Sequence, residues 1–113
     1  MVAFKALKAL ANTEMTIFAQ DRGLRYLWVF NPGDSWLDES ATGKTDSDVL
    51  AGAVVERSMA VKREVLETGQ PARFELTMTS GSAMRWFDVR VDVDRNEARE
   101  IIGIIGSSFE ITE

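Results

Sequence analysis

The chain of 113 residues contains no cysteine and no histidine. Without cysteine it can form neither a disulfide nor a thiolate nucleophile, and cysteine-ligated metal sites are excluded. Without histidine, no imidazole can act as a general base, bind zinc or ligate a haem, and phosphotransfer to histidine within this segment is impossible. Ser107 and Ser108 therefore lack the base that usually activates a serine, and nucleophilic catalysis is not expected.

The chain also lacks a positive charge excess and a long apolar run. It has 13 basic and 18 acidic residues and a net charge of −5, which argues against a nucleic-acid ligand. No apolar run approaches the length of a bilayer-spanning helix, and the first residues, Met1 to Lys5, do not resemble a secretory leader. With 45% apolar residues, the sequence predicts one soluble, cytoplasmic domain without membrane contact.

Two apolar runs on either side of Asp21-Arg22-Gly23 predict a β-hairpin, with strands at 14–20 and 25–30. Gly23 is predicted to supply the positive φ of the turn, and Asp21 to hydrogen-bond the turn backbone. In the second strand, alternation places Tyr26, Trp28 and Phe30 on one face of the sheet. The alternation does not say whether that face is buried.

Two stretches have helical spacing of apolar residues. The first covers residues 2–11, and the second is the main helix at about 52–68. Thr45 and Asp48 approximate a capping box within an otherwise irregular segment at 34–50, and helix capping also accounts for Asp46. Gly69 is predicted to end the main helix in a left-handed cap.

Three strands are predicted after the main helix, at 73–79, 85–93 and 101–111. The last is apolar on both faces, as is typical of a central strand that is covered on both sides. Two strands, a helical crossing and a three-strand meander give an α+β fold, with a five-stranded antiparallel sheet, helices on one face and an N-terminal helix.

Two short motifs resemble ligand-binding loops, but each lacks a residue that the loop requires. Gly43-Lys44-Thr45 has the end of a phosphate-binding loop, but Asp38 stands where that loop requires its first glycine. The segment from Asp92 begins like a calcium loop, but it has Glu97 at the sixth position and Gly103 at the twelfth. The sequence therefore predicts neither a nucleotide site nor a metal site.

Five segments in order carry a family resemblance. They are the hairpin Thr16 to Trp28; the step Gly43-Lys44-Thr45-Asp46; the helix end Lys62-Arg63-Glu64-Val65-Leu66-Glu67-Thr68-Gly69-Gln70-Pro71; the strand Arg85-Trp86-Phe87-Asp88-Val89; and the ending, Gly103 to Gly106 with Phe109-Glu110-Ile111-Thr112-Glu113. Together with the element order, they resemble the PAS domains of bacterial sensor histidine kinases, especially the HWE subgroup. Glu110 departs from the aspartate usual there, and the loop after Pro32 is shorter or more degenerate. The resemblance divides the chain into an N-terminal helix (1–12) and a PAS sensor domain (13–113).

The resemblance implies a signal-input module of a cytoplasmic two-component protein, namely a sensor histidine kinase. It implies that this segment is not itself an enzyme. It implies a cavity for a small ligand and a signal that leaves through the last strand, at Glu110, Ile111 and Thr112, toward an output domain in the same chain. The candidate pocket residues are Trp28, Phe30, Trp36, Phe87, Val89 and Ile104. An alternative reading is that these aromatic and aliphatic side chains simply fill the core.

The cofactors of PAS domains can be screened by chemistry. A cysteine-linked flavin or chromophore and a histidine-ligated haem are excluded, whereas a non-covalent small molecule remains open. A carboxylate ligand would need a cation, for which the chain offers Arg25, Lys44, Arg85 and Arg90. A homodimer is expected, in which the N-terminal helix covers an apolar outer sheet face near Ile101 or Ile105. The alternative is that this helix folds back on its own sheet. The alternatives are a ligand-free dimerisation module and, more remotely, a small α+β-barrel isomerase or hydratase.

Overall fold

The computed structural model describes residue 9 and residues 13–32, 35–80 and 82–111. The predicted helix at 2–11 lies, except for residue 9, outside the described residues, as does Thr112. Residue 34 of the predicted irregular segment and Glu113 of the closing motif also lie outside the described ranges.

Five antiparallel strands form one sheet in the order β2-β1-β5-β4-β3. The strands are β1 (Thr16–Asp21), β2 (Tyr26–Phe30), β3 (Ala72–Ser80), β4 (Ala83–Arg95) and β5 (Ile101–Ile111). The last strand lies in the centre, as its two-sided apolar pattern predicted. Since β2 and β3 lie at opposite edges, the sheet is open and does not close into a barrel, unlike the barrel of the enzyme alternative.

The helical segments lie between β2 and β3 in the chain. They are a 3-10 turn (Glu39–Ala41), α1 (Asp46–Val49) and α2 (Ala53–Thr68). Helix α2 contacts β3, β4 and β5, and we call the sheet face that it covers the inner face. Gly69 ends α2 in the left-handed region (φ 72°), and its N–H donates to the carbonyl of Val65 at 2.8 Å. The main helix and its glycine cap are thus confirmed.

The hairpin between β1 and β2 is confirmed, but its turn differs from the prediction. The Asp21 carboxylate accepts hydrogen bonds from the N–H groups of Gly23 (2.9 Å) and Arg25 (3.0 Å), as predicted. The positive φ (63°) belongs to Leu24 and not to Gly23. Leu24 is buried in the core, and its carbonyl accepts a 2.7 Å hydrogen bond from the side chain of Gln20. Burial and this hydrogen bond hold Leu24 in a conformation that its side chain alone disfavours.

A β-bulge changes the face of the sheet in β2. Ala19 pairs with Trp28, but the next residue, Gln20, pairs with Tyr26, so that Leu27 is the extra residue. One extra residue moves the following side chains to the opposite face. Tyr26 therefore points to the inner face and is buried, whereas Trp28 points to the outer face and is 41% exposed. The prediction that Tyr26, Trp28 and Phe30 share a face is wrong for this reason.

Candidate functional site

A cluster of four polar side chains is buried between the inner face of the sheet and the helices. The Asp46 carboxylate accepts hydrogen bonds from the Tyr26 hydroxyl, from the Ser58 hydroxyl at 2.6 Å and from the Lys62 ammonium at 2.6 Å. Lys62 also donates to the Tyr26 hydroxyl at 3.2 Å. Both charged side chains are 0% exposed. We refer to these four residues as the Asp46–Lys62 cluster.

Three elements bring the Asp46–Lys62 cluster together. Ser58 and Lys62 are four residues apart on α2, so they lie one above the other on the same helix face. Asp46 is the first residue of α1, and Tyr26 reaches the cluster from the inner face of β2, just before the bulge. The cluster therefore links the edge strand β2 to both helices.

Burial dominates the electrostatics of the Asp46–Lys62 cluster. Burial raises the pKa of the Tyr26 hydroxyl, and the adjacent Asp46 charge and hydrogen bond raise it further. Burial lowers the pKa of the Lys62 ammonium, whereas Asp46 opposes that change. The ammonium also lies 5.1 Å from the ring centroid of Phe18 and 5.2 Å from that of Tyr26, within range of cation–π attraction. Two buried charges are tolerated here because each has close partners.

Asp46 and Lys62 were not predicted as site residues. The interpretation of Asp46 as a capping residue is wrong, because its carboxylate lies in the core. The predicted capping box of Thr45 and Asp48 is confirmed, since Asp48 accepts from the N–H of Thr45 at 3.1 Å. The residue from which the sequence could have indicated this cluster is Lys62. It lies four residues after Ser58 and three before Val65, the other two fully buried residues of α2. A lysine on the buried face of a helix needs a partner.

The structure brings four of the six candidate pocket residues together. Trp36, Phe87, Val89 and Ile104 belong to one buried core cluster, on the same side of the sheet as Asp46 and Lys62. The bulge places Trp28 and Phe30 on the outer face instead, where Phe30 pairs with Ile17. A single pocket cannot include all six residues.

Trp36 connects the segment before the helices to the central strand. Its indole N–H donates to the Ser108 hydroxyl at 2.9 Å, and both side chains are buried. Ser108 lies on β5, three residues before Ile111. This hydrogen bond therefore couples the position of the irregular segment around Trp36 to the end of β5.

The candidate cations have different partners. Arg25 donates to the carbonyl of Gly43 at 2.9 Å, Arg90 to Asp88 at 3.3 Å, and Lys44 is exposed. Arg85 forms two hydrogen bonds with Glu110, at 3.0 and 2.7 Å. Of the four, Arg85 is the one that joins β4 to the end of β5.

The outer face of the sheet carries exposed large apolar side chains. Trp28, Trp86 and Ile105 are 41%, 42% and 38% exposed, and strand alternation places all three opposite α2. Among the described residues, no helix is long and apolar enough to cross a membrane. Within the same ranges, no group of three acidic side chains is arranged to hold a metal ion.

Comparison with known proteins agrees with this architecture. Residues 10–113 match the family model described as the PAS fold. The chain is 35% identical over 105 residues to histidine kinase 5 of Arabidopsis thaliana, covering 92% of this chain but 11% of that kinase.

Two solved structures show the same fold. The PAS domain of histidine kinase ThkA superposes with a TM-score of 0.63 at 18% identity, covering 86% of this chain and 99% of that one. A structure of the Vibrio cholerae VqmA dimer superposes with a TM-score of 0.80 at 15% identity, covering 96% of this chain and 51% of that one. The chain belongs to the PAS fold family, and this segment is a sensory module rather than a catalytic one.

Proposed function

We propose that the chain is the sensory input module of a cytoplasmic histidine kinase, with an output domain further along the same polypeptide. The observation that carries this proposal is the combination of a PAS family match over residues 10–113 with 35% identity to a histidine kinase. Since the chain spans only 11% of that relative, kinase activity would belong to the whole protein and not to this segment.

The inner face of the sheet is the proposed sensing region. Trp36, Phe87, Val89 and Ile104 supply apolar surface, and the Asp46–Lys62 cluster supplies polar groups, a combination typical of small-molecule sites. The Gln20 side chain is fully buried, and its Oε1 atom has no hydrogen-bond partner among the described residues. Because Gln20 pairs with Tyr26 across the strands, this acceptor lies beside the cluster, and a ligand with a donor group would reach it only in a state in which the core has opened.

The proposed output is the end of β5 at Glu110, Ile111 and Thr112. A ligand shifts an equilibrium only by as much as it prefers one state, so ligand contacts must differ between two positions of this strand. The hydrogen bond between Trp36 and Ser108 gives one physical connection from the sensing region to β5.

A homodimer is the second part of the proposal, with the outer face as its contact surface. Trp28, Trp86 and Ile105 form exposed apolar surface of the kind that marks interaction sites. The VqmA structure is that of a dimer, which is consistent with this arrangement in the same fold but does not assign an interface here.

Bulky substitutions in the full-length protein test the sensory role. Val89→Phe and Ile104→Phe each enlarge a 0% exposed side chain in the core, and we expect them to change kinase output or its response to ligand. Ile102→Phe is the matched control, because Ile102 lies on β5 with Ile104 but is 44% exposed. Unchanged autophosphorylation in both core variants, with circular dichroism showing an intact fold, would refute the proposal.

A ligand-free dimerisation module is the second candidate function. It is favoured by the mutual hydrogen bonding within the Asp46–Lys62 cluster, which lets side chains fill the core without a ligand. Native mass spectrometry of the purified protein separates the two candidates. A defined additional mass would support the ligand-binding module, and a dimer at the sequence mass would support the assembly module.

A further inference from the structure

A cleft lies at the end of the sheet beside the last residues of β5. Its volume is about 250 Å³, and Ser35, Arg85, Ser108 and Glu110 are among the residues that line it, with Glu14 at its rim. None of these residues belongs to the Asp46–Lys62 cluster, although Phe87 of the proposed sensing region also lines the cleft. Since one water occupies roughly 30 Å³ of liquid, the cleft has room for a molecule of roughly eight non-hydrogen atoms.

The polar groups of this cleft include a cationic side chain, an anionic side chain and a hydroxyl without a hydrogen-bond partner among the described residues. Arg85 holds Glu110 through two hydrogen bonds, and these lower the pKa of the Glu110 carboxyl. The Oγ atom of Ser35 is buried and has no hydrogen-bond partner within the described ranges. A buried hydroxyl without a partner is unfavourable. A rotation of the Ser35 side chain toward the cleft would bring the hydroxyl into contact with a bound ligand and remove that cost.

We infer that this cleft binds a small zwitterion of the α-amino acid class. A simple anion would be attracted by Arg85 but would meet two carboxylates, Glu14 and Glu110. A simple cation would meet the guanidinium of Arg85. A zwitterion satisfies both conditions, because its carboxylate pairs with Arg85 in the two-bond geometry that arginine favours while its ammonium faces Glu110 and Glu14. The Ser35 hydroxyl, after its side chain rotates toward the cleft, donates to the ligand carboxylate.

Binding of this kind acts on the last strand. The ligand carboxylate competes with Glu110 for the same N–H groups of Arg85, so the bidentate link between β4 and the end of β5 is replaced by a contact through the ligand. Glu110 is one of the proposed output residues, and the signalling consequence of binding therefore rests on the proposed function. The binding itself does not.

Tryptophan indole signals in a ¹H–¹⁵N correlation spectrum of the whole 113-residue chain test the inference. The indole N–H of Trp36 donates to Ser108, which lines the cleft, whereas Trp28 and Trp86 lie on the outer face and serve as internal references. We expect alanine or serine, as free amino acids, to shift the Trp36 signal saturably and to leave the other two in place. Acetate and methylamine at equal concentration carry one charge each and should not reproduce this shift.

Two variants and one control connect the shift to the cleft. Ser35→Ala should weaken amino-acid binding roughly fivefold without destabilising the free protein, because the hydroxyl has no partner to lose. Arg85→Gln should weaken it at least about tenfold. Ser82→Ala changes an exposed serine outside the cleft and should leave the affinity unchanged.

The inference is overturned if the Trp36 indole signal does not shift when alanine or serine is added at about ten times a millimolar Kd. Equal shifts with acetate would also overturn it, by showing that the cleft selects an anion. These outcomes are independent of the proposed function, because autophosphorylation could still respond to Val89→Phe in a protein that binds no amino acid. Conversely, selective binding without any effect on kinase output would support the site and count against the sensory proposal.

Discussion

Removing the charge of Lys62 while keeping its apolar stem tests the central feature of the core. Lys62→Met leaves the Asp46 carboxylate buried without its cationic partner, although the hydroxyls of Tyr26 and Ser58 still donate to it. Breaking a buried ion pair in this way typically costs about 3–5 kcal/mol, because the remaining charge is desolvated and uncompensated.

That cost is large relative to the whole stability of the domain. At roughly 0.05–0.15 kcal/mol per residue, a chain of 113 residues has a free energy of unfolding of roughly 6–17 kcal/mol. A change of 1 kcal/mol shifts the Tm of a domain of this size by about 4 °C. Lys62→Met should therefore lower the Tm by about 12–20 °C. If the domain lies at the lower end of the stability range, only about 1–3 kcal/mol of its free energy of unfolding should remain.

A double-mutant cycle separates the ion pair from other effects. Urea unfolding, followed by circular dichroism, gives the free energy of unfolding of Lys62→Met, Asp46→Asn and the double variant. We expect the double variant to be more stable than the sum of the single changes predicts, by about 1–3 kcal/mol. Lys44→Met is the control, because Lys44 is exposed and its loss should stay within about 0.5 kcal/mol. The reasoning is refuted if Lys62→Met is as mild as this control, or if the two changes are additive.

Three further changes test other parts of the structure. Ser108→Ala leaves the buried indole N–H of Trp36 without an acceptor and should lower the free energy of unfolding by about 1–3 kcal/mol in urea titrations; a neutral result would contradict the hydrogen bond. Gly106→Ala places a Cβ atom 2.3 Å from the Phe18 ring and should cost about 1–3 kcal/mol or more, and Phe18→Leu in the same chain should recover part of that loss. Glu110→Gln should cost stability at pH 7 but progressively less as the pH falls through the lowered carboxyl pKa, since the native state loses the charged pair there; a difference that does not change with pH would exclude the arginine pair as its cause.

The strands and the main helix could be predicted from the sequence because their signals are local. Alternation along β4 and the two-sided apolar pattern of β5 reflect the burial of each strand. Gly69 and Pro71 likewise mark the end of α2 by backbone chemistry at the position itself. These signals need no knowledge of which elements meet in space.

The Asp46–Lys62 cluster could not be predicted in the same way, since Tyr26 and Lys62 are separated by 36 residues. Each residue has an ordinary local interpretation, as a strand aromatic, a helix cap or a solvated lysine. The bulge at Leu27 is equally hidden, because a single extra residue reverses a face without changing strand propensity. For that reason Trp28 and Phe30 were grouped with the buried aromatics although they lie on the outer face.

The position of the ion pair in the fold explains what it contributes. The segment from Ser35 to Ala51 has only short helical turns, and its place on the sheet depends on the side chains that it buries. Four of these are apolar, namely Trp36, Leu37, Ala41 and Leu50. A buried ion pair adds little net stability compared with apolar residues of equal volume, but it is unfavourable in any arrangement that separates its partners. Asp46 in this segment and Lys62 on the long helix therefore select one position of α1 against α2. The cluster therefore adds a geometric constraint to the apolar packing that holds this segment against the inner face.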